Sequence, residues 1–237
     1  EYRNPSKIFI DMPYYFNYYT VSSGIAQTWE DIYNAPYQGT TTIAPGDLLY
    51  EDLNGDGQIT GADKKANPKI NEQRPTANYG LNLFAEWNGI DINMLFQGST
   101  GRKDYWYGHM NAVNVGEDRH VFQKYHWDDT WSIDNRGAEL PRLASVNTAP
   151  NGTESSFWLQ DLSYLRMKNL QIGYNFPKKW LDKLTLNKVR CYMSAENLFT
   201  LTAWKGVDPE KARVGNNINE DPFPIMKTIS FGINVGF

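Results

Sequence analysis

Lys227-Thr-Ile-Ser-Phe-Gly-Ile-Asn-Val-Gly-Phe237 is the stretch that decides the fold. Ile229, Phe231, Ile233, Val235 and Phe237 fall on one side of an extended chain; Ser230, Gly232, Asn234 and Gly236 fall on the other. A period of two without an error is a β-strand. Its second face is small and hydrated, which suits a water-filled lumen. The strand ends on an aromatic residue. A soluble sandwich also accommodates such a strand, so the neighbouring segments carry the decision.

Four further runs alternate in the same way. Tyr79, Leu81, Leu83, Ala85 and Trp87 precede Asn88-Gly89, and Ile90, Ile92, Met94 and Phe96 follow it. Asn-Gly between two alternating runs is the signal of a type I′ hairpin, because both central residues need positive φ. Leu170, Ile172, Tyr174 and Phe176 alternate up to Pro177, which removes a donor and ends the strand. Lys178–Asn187 reads as a short connection with a helical turn. Val189, Cys191, Met193 and Ala195 then alternate with Arg190, Tyr192, Ser194 and Glu196. One or two more strands are expected within Lys7–Tyr19, for roughly five to seven in all. The connections alternate as well: short at 88–89, long at 99–157, short at 178–187, long at 204–224. Transmembrane barrels have short turns on the periplasmic side and long loops outside. Roughly eight strands are the minimum for a barrel, and an unpaired edge in lipid costs several kcal/mol per backbone group. These strands therefore need partners beyond this chain.

Composition narrows the classes. Of 237 residues 41% are hydrophobic and 14% aromatic, an aromatic excess that favours strands. The formal net charge of −4 gives no reason to expect nucleic acid as a partner. The single cysteine, Cys191, excludes an internal disulfide framework. No apolar run approaches the ~18–20 residues of a spanning helix. The mean hydropathy of −0.59 is compatible with barrel strands, which alternate, joined by polar loops. Glu1-Tyr2-Arg3-Asn4 has neither the basic start nor the apolar core of a signal peptide, so the chain reads as cytosolic or as a processed or truncated piece.

Within residues 44–68, Asp52-Leu-Asn-Gly-Asp-Gly-Gln-Ile-Thr-Gly-Ala-Asp63 fits most of a twelve-residue calcium loop. Asp52, Asn54 and Asp56 supply side-chain oxygens, Gly57 the sharp turn, Gln58 a carbonyl, and Asp63 the last ligand. Asp63 is shorter than the usual Glu, which weakens calcium and favours magnesium. A hydrogen-bonded Asx turn without metal accounts for the same residues, and both readings stand. Tyr105, Trp106, Tyr107, Trp127 and Trp131 lie in the long 99–157 loop and Trp158 just after it. Their faces suit contact with a sugar or a lid protein, or packing and an interfacial girdle. By alternation Arg190, Tyr192 and Glu196 face the lumen. His109, His120 and His126 with Glu117, Asp118, Asp128 and Asp129 match no metal or paired-carboxylate template. No phosphate loop or nucleophile elbow occurs, so the sequence points to no enzyme.

Several segments together resemble the SusC/RagA family of TonB-dependent outer-membrane transporters. They are Pro45-Gly46-Asp47 with Asp52–Gly57, Tyr79–Leu83 with Phe96-Gln-Gly98, Tyr164-Leu-Arg-Met-Lys-Asn-Leu170 with Gly173-Tyr174, Glu196-Asn-Leu-Phe-Thr200, Gly206-Val-Asp-Pro-Glu210, and the terminal Phe237. The resemblance implies an all-β fold in which residues 1–237 form the C-terminal antiparallel strands of a plugged barrel of roughly 22 strands. It implies residence in the outer membrane, energy from a TonB complex through an absent N-terminal region, a SusD-like lipoprotein lid, and oligosaccharide or peptide cargo. The other classes carried forward are a secreted β-sandwich that binds carbohydrate with a calcium-pinned loop, and a glycoside hydrolase fragment.

Overall fold

Alternation at the level of sequence becomes a two-faced sheet at the level of structure. The computed structural model describes residues 17–67, 75–106, 114–115, 124, 128–145, 150–182, 186–206, 208–210 and 225–237. The described strands are, in chain order, β1 (Asn17–Thr20), β2 (Ser22–Ile25), β3 (Leu48–Tyr50), β4 (Lys64–Asn67), β5 (Ala77–Trp87), β6 (Ile90–Thr100), β7 (Lys103–Tyr105), β8 (Asn114–Val115), β9 (Ala144–Ser145), β10 (Leu159–Asp161), β11 (Tyr164–Asn175), β12 (Lys188–Glu196), β13 (Thr200–Thr202) and β14 (Thr228–Gly236). Short helices are α1 (Trp29–Tyr33) and α2 (Lys178–Leu181). The chain divides into two compact units, residues 1–72 with 103–160 and residues 73–102 with 161–237.

The second unit is the sheet β14-β12-β11-β6-β5, antiparallel throughout, with β13 on β11. The five long strands have 11, 11, 12, 9 and 9 residues in chain order, close to the ~9–11 that span a bilayer. Register sorts side chains into complete rows. Leu83, Met94, Leu170, Ala195 and Ile229 form one row; Ala85, Ile92, Ile172, Met193 and Phe231 form another. Trp87, Ile90, Tyr174, Cys191 and Ile233 form a third. This face is apolar and open: Phe231 is 80% exposed and Ile233 67%. The opposite face carries rows such as Glu86, Asp91, Gly173, Tyr192 and Gly232. Phe84 and Leu95 are its apolar exceptions. A soluble sandwich needs a second layer over the greasy face, and among the described residues nothing covers it. Among the same residues β5 and β14 are each paired on one side only.

The short connections lie at one end of the sheet. Asn88 (φ 49) and Gly89 (φ 85) make the tight hairpin. A Cβ on Gly89 would stand 2.8 Å from the Asn175 carbonyl oxygen, so only glycine lets the turn reach β11. The helical turn expected in 178–187 is α2. Alternation in β11 slips at Lys168, where a bulge separates Met167 from Asn169. Lys168 is the extra residue, and Leu165 and Met167 thereby stay on the apolar face.

The first unit is built from small pieces: β1 on β4, β2 on β3, β7 on β10, and β8 parallel to β9. Leu48, Tyr50, Tyr105, Leu140 and Trp158 form its core. Much of the 99–157 stretch, expected as loop, is thus part of a packed unit. Of the strands expected in Lys7–Tyr19, residues 7–16 lie outside the described residues, and β1 contains the remainder.

Candidate functional site

On the polar face, Arg190 Nε donates to Asp91 Oδ2 (2.9 Å), and Asn175 Nδ2 donates to the same oxygen (3.0 Å). The pair lies over Gly173, where a Cβ would meet the guanidinium at 2.4 Å. Arg190 also stacks on Tyr192, 5.1 Å from the ring centre. The Tyr192 ring covers Gly232, whose added Cβ would stand 2.4 Å from Cζ. Glycine on one strand thus makes room for a large polar side chain on the next. Glu196 shares this face and is exposed. The three residues expected toward the lumen therefore lie together on the polar side of β12.

A second cluster ties three distant motifs together. Arg166, 3% exposed, donates through Nη2 to both oxygens of Asp208 (2.9 and 3.0 Å), through Nη1 to Glu210 (2.7 Å) and through Nε to Thr200 Oγ1 (2.7 Å). Lys168 Nζ donates to Glu210 at 2.7 and 2.9 Å. The bulge places Arg166: by unbroken alternation from Leu170 it would fall on the apolar face, and the extra residue turns it to the polar face opposite Gln97. Asn197 (φ 52) turns the chain between β12 and β13 opposite the bulge, and its N–H donates to the Lys168 carbonyl (3.1 Å). Asp208 accepts further bonds from the N–H groups of Glu210 (2.9 Å) and Ile225 (3.2 Å). Burial pushes Asp208 upward, but the Arg166 bond and those two N–H groups outweigh it and hold the carboxyl below the ordinary range. Both ends of the 204–224 connection are therefore clasped at one carboxylate. Sequence reasoning quoted these motifs but did not join them. The signal was opposite charge at i,i+2 spacing, basic at 166 and 168 and acidic at 208 and 210.

In the first unit, Pro45-Gly46-Asp47 is a hub. Fully buried Asp47 accepts from Arg142 Nη2 (2.7 Å), Asn151 Nδ2 (2.9 Å) and the Ala44 N–H (2.8 Å). Gly46 (φ 95) lies against the Trp131 ring, where a Cβ would come to 2.3 Å. The acidic loop follows. Asp52 accepts from the N–H groups of Gly55 and Gly57, both at 2.7 Å. Asn54 accepts from the Asp56 N–H (3.0 Å), and Asp56 from the Gln58 N–H (2.9 Å). Gly57 has φ 83, as the sharp turn requires. Asp63 is sealed beneath, accepting from the N–H groups of Thr60 (2.7 Å), Leu53 (3.0 Å) and Asn54 (3.3 Å). The Thr60 N–H leads in holding its carboxyl below the ordinary range against burial, helped by Asn54 and Leu53. Asp52, Asn54 and Asp56 lie on the outer turn with their side-chain oxygens accepting bonds inside the loop, as in an Asx turn; buried Asp63 is spent on backbone. Among the described residues no three His, Cys, Asp or Glu side chains converge as a metal cluster.

The aromatic candidates separate. Tyr105 and Trp158 are core. Trp131 is buried and donates to Gln27 Oε1 (2.9 Å). Trp106 is half-buried against the core. Trp127, Tyr107 and the three histidines lie outside the described residues. Asp128 pairs with Lys124, and Asp129 accepts from the Glu139 N–H (3.1 Å).

The chain is 32% identical over 217 residues to TonB-dependent receptor P3 of Formosa agariphila, which aligns 84% of this chain with 20% of the receptor. It is 25% identical to TonB-dependent receptor SusC of Bacteroides thetaiotaomicron, across 81% of this chain and 18% of SusC. The chain belongs to the SusC/RagA family of TonB-dependent receptors. It spans about a fifth of the length of the curated relatives it matches (20% of the first). The fold agrees with the family: a structure of the RagAB peptide transporter superposes at a TM-score of 0.69 and 23% identity, over 93% of this chain and 22% of that one. A RagAB importer in a closed-closed state gives 0.66. No family model matches the chain. The five-strand sheet is accordingly part of a barrel wall in the outer membrane.

Proposed function

We propose that this chain is part of an importer that draws oligosaccharides or peptides across the outer membrane, driven through TonB and covered by a SusD-like lipoprotein. The observation that carries this reading is the two-faced sheet. An open apolar face on five strands is stable only against hydrocarbon, and a hydrated opposite face is stable only against water or polar cargo. In this reading Arg190, Tyr192 and Glu196 line the path, and the 99–157 and 204–224 stretches face outside. Trp106 is the ring we assign to cargo or lid contact, packed against the core that contains Tyr105. Similarity to the RagAB peptide transporter supports the peptide alternative for cargo. The test is uptake of labelled oligosaccharides and peptides by cells carrying the whole protein. Loss of uptake on deleting the gene, and equally on deleting TonB, is the expected result. Undiminished uptake of every cargo class after deletion contradicts the reading.

A second proposal concerns loop 52–63: calcium or magnesium held weakly by Asp52, Asn54, Asp56 and the Gln58 carbonyl, with Asp63 as the internal clasp. The left-handed glycine and the three oxygens on the outer turn favour it. Melting of the whole protein should rise with calcium in the millimolar range and lose that response in Asp56→Ala. A melting curve indifferent to calcium overturns it.

A further inference from the structure

The apolar wall is not flat. A groove of about 730 Å³ opens beside Ile172, Tyr174, Cys191, Met193, Phe231 and Ile233. Register explains it: Cys191 stands between Tyr174 on β11 and Ile233 on β14. A small side chain between two larger ones leaves a trough, floored by the backbone of Gly173 and Gly232, whose Cα substituent positions face the other side of the sheet. The groove sits at the short-connection end. Cys191 is three residues into β12, about 10 Å from the strand's start at the usual rise.

That end carries the features of a membrane interface. Tyr174, Phe176 and Trp180 form a chain of ring contacts, with centroids 5.1 and 6.1 Å apart. Trp180 remains 59% exposed and Trp87 77%. Aromatic rings of this kind sit at headgroup level. Lys178 and Lys179 begin α2 on the same connection and are exposed. The ring chain runs from Tyr174, which lines the trough, to Trp180 in the helical turn that carries both cations, so apolar trough and positive charge are joined by one path.

We propose that this groove is a binding site for an anionic phospholipid, with an acyl chain against Cys191 and the headgroup at Lys178 and Lys179. The proposal rests on the barrel-wall reading above. It differs from general solvation by lipid because the trough is local and the ring chain leads from it to the turn that carries Lys178 and Lys179.

The experiment uses the whole transporter, stripped of lipid in detergent and incorporated into nanodiscs of phosphatidylcholine with a minority of phosphatidylglycerol. Native mass spectrometry after release counts retained lipids. Wild type should retain phosphatidylglycerol in preference to phosphatidylcholine. Lys178→Gln with Lys179→Gln should weaken that preference on the order of tenfold, since each near-surface cation attracts anionic lipid appreciably. Cys191→Phe should fill the trough and lower retention of both lipids, with folding checked by heat-modifiable electrophoretic mobility. Equal retention of the two lipids by wild type, or a preference untouched by the lysine change, overturns the proposal. If the barrel-wall reading itself is wrong, neither lipid is retained and the protein stays monomeric in buffer without detergent.

Discussion

The two units solve opposite burial problems with one alphabet. In the first, Trp158, Tyr105 and Leu48 are buried, and the acidic loop turns outward. In the second, Phe231, Ile233 and Leu81 are exposed while Arg166 and Asp208 are almost wholly buried. Ordinary burial of apolar side chains in a packed core explains the first pattern. Hydrocarbon on one side and water on the other explains the second, because lipid then replaces the missing hydrophobic layer. The difference teaches that exposure has no sign of its own: an exposed Phe is a defect in one solvent and an anchor in the other.

The largest effects should come from the two buried centres. Trp158→Ala should cost about 3–5 kcal/mol in the first unit, read as lost hydrogen-exchange protection around Leu48–Tyr50 with the barrel strands unchanged. Coupled loss in β11 and β12 would break the division into units. Asp208→Ala strands Arg166 in a buried place, at about 3–5 kcal/mol. It should expose the 204–224 connection to protease while leaving Leu48–Tyr50 protected; resistance equal to wild type contradicts the clasp. Next, Leu83→Arg should cost about 2–4 kcal/mol near the middle of the bilayer, whereas Asn82→Arg one residue earlier, on the polar face, should cost far less. Equal costs, measured by urea unfolding of the reconstituted protein, would erase the contrast between faces.

The smallest effect is pH dependence. Asp208 and Asp63 both have depressed carboxyl values. Their stabilisation is complete above the unfolded value of about 3.9 and is lost as pH falls through the lower folded value. Between pH 7 and 5 neither region should loosen. Below about pH 4 protease sensitivity should appear at 204–224 and at 52–63. Loosening already at pH 6 would assign the clasp to other groups.

Local signals made the sheet legible. Alternation without error in β14 and the Asn88-Gly89 turn needed nothing beyond neighbouring residues. The bulge at Lys168 is less so, since one extra residue looks like a failed alternation until the pairing with β6 sets Met167 opposite Phe96 and Asn169 opposite Leu95. The clasp joins residues 42 positions apart, from Arg166 to Asp208, and no periodicity encodes a pairing at that distance. The first unit hid for a related reason. Its strands are two to four residues long, and its order comes from side chains such as Asp47 and Asn151 meeting across 104 positions. For Trp131 and Tyr105 the sequence leaves packing and contact with cargo or a lid both open, because burial by a distant segment leaves no local trace.

The most direct measurement is a nitroxide scan of β14 in the whole protein, reconstituted in lipid, with spin labels placed singly from Ser230 to Val235. Oxygen should reach labels at 231, 233 and 235 most readily, and a water-soluble nickel chelate those at 230, 232 and 234, with a period of two. Labels at 231, 233 and 235 that exclude both agents, as in a sealed protein core, would contradict a wall whose apolar face lies against hydrocarbon.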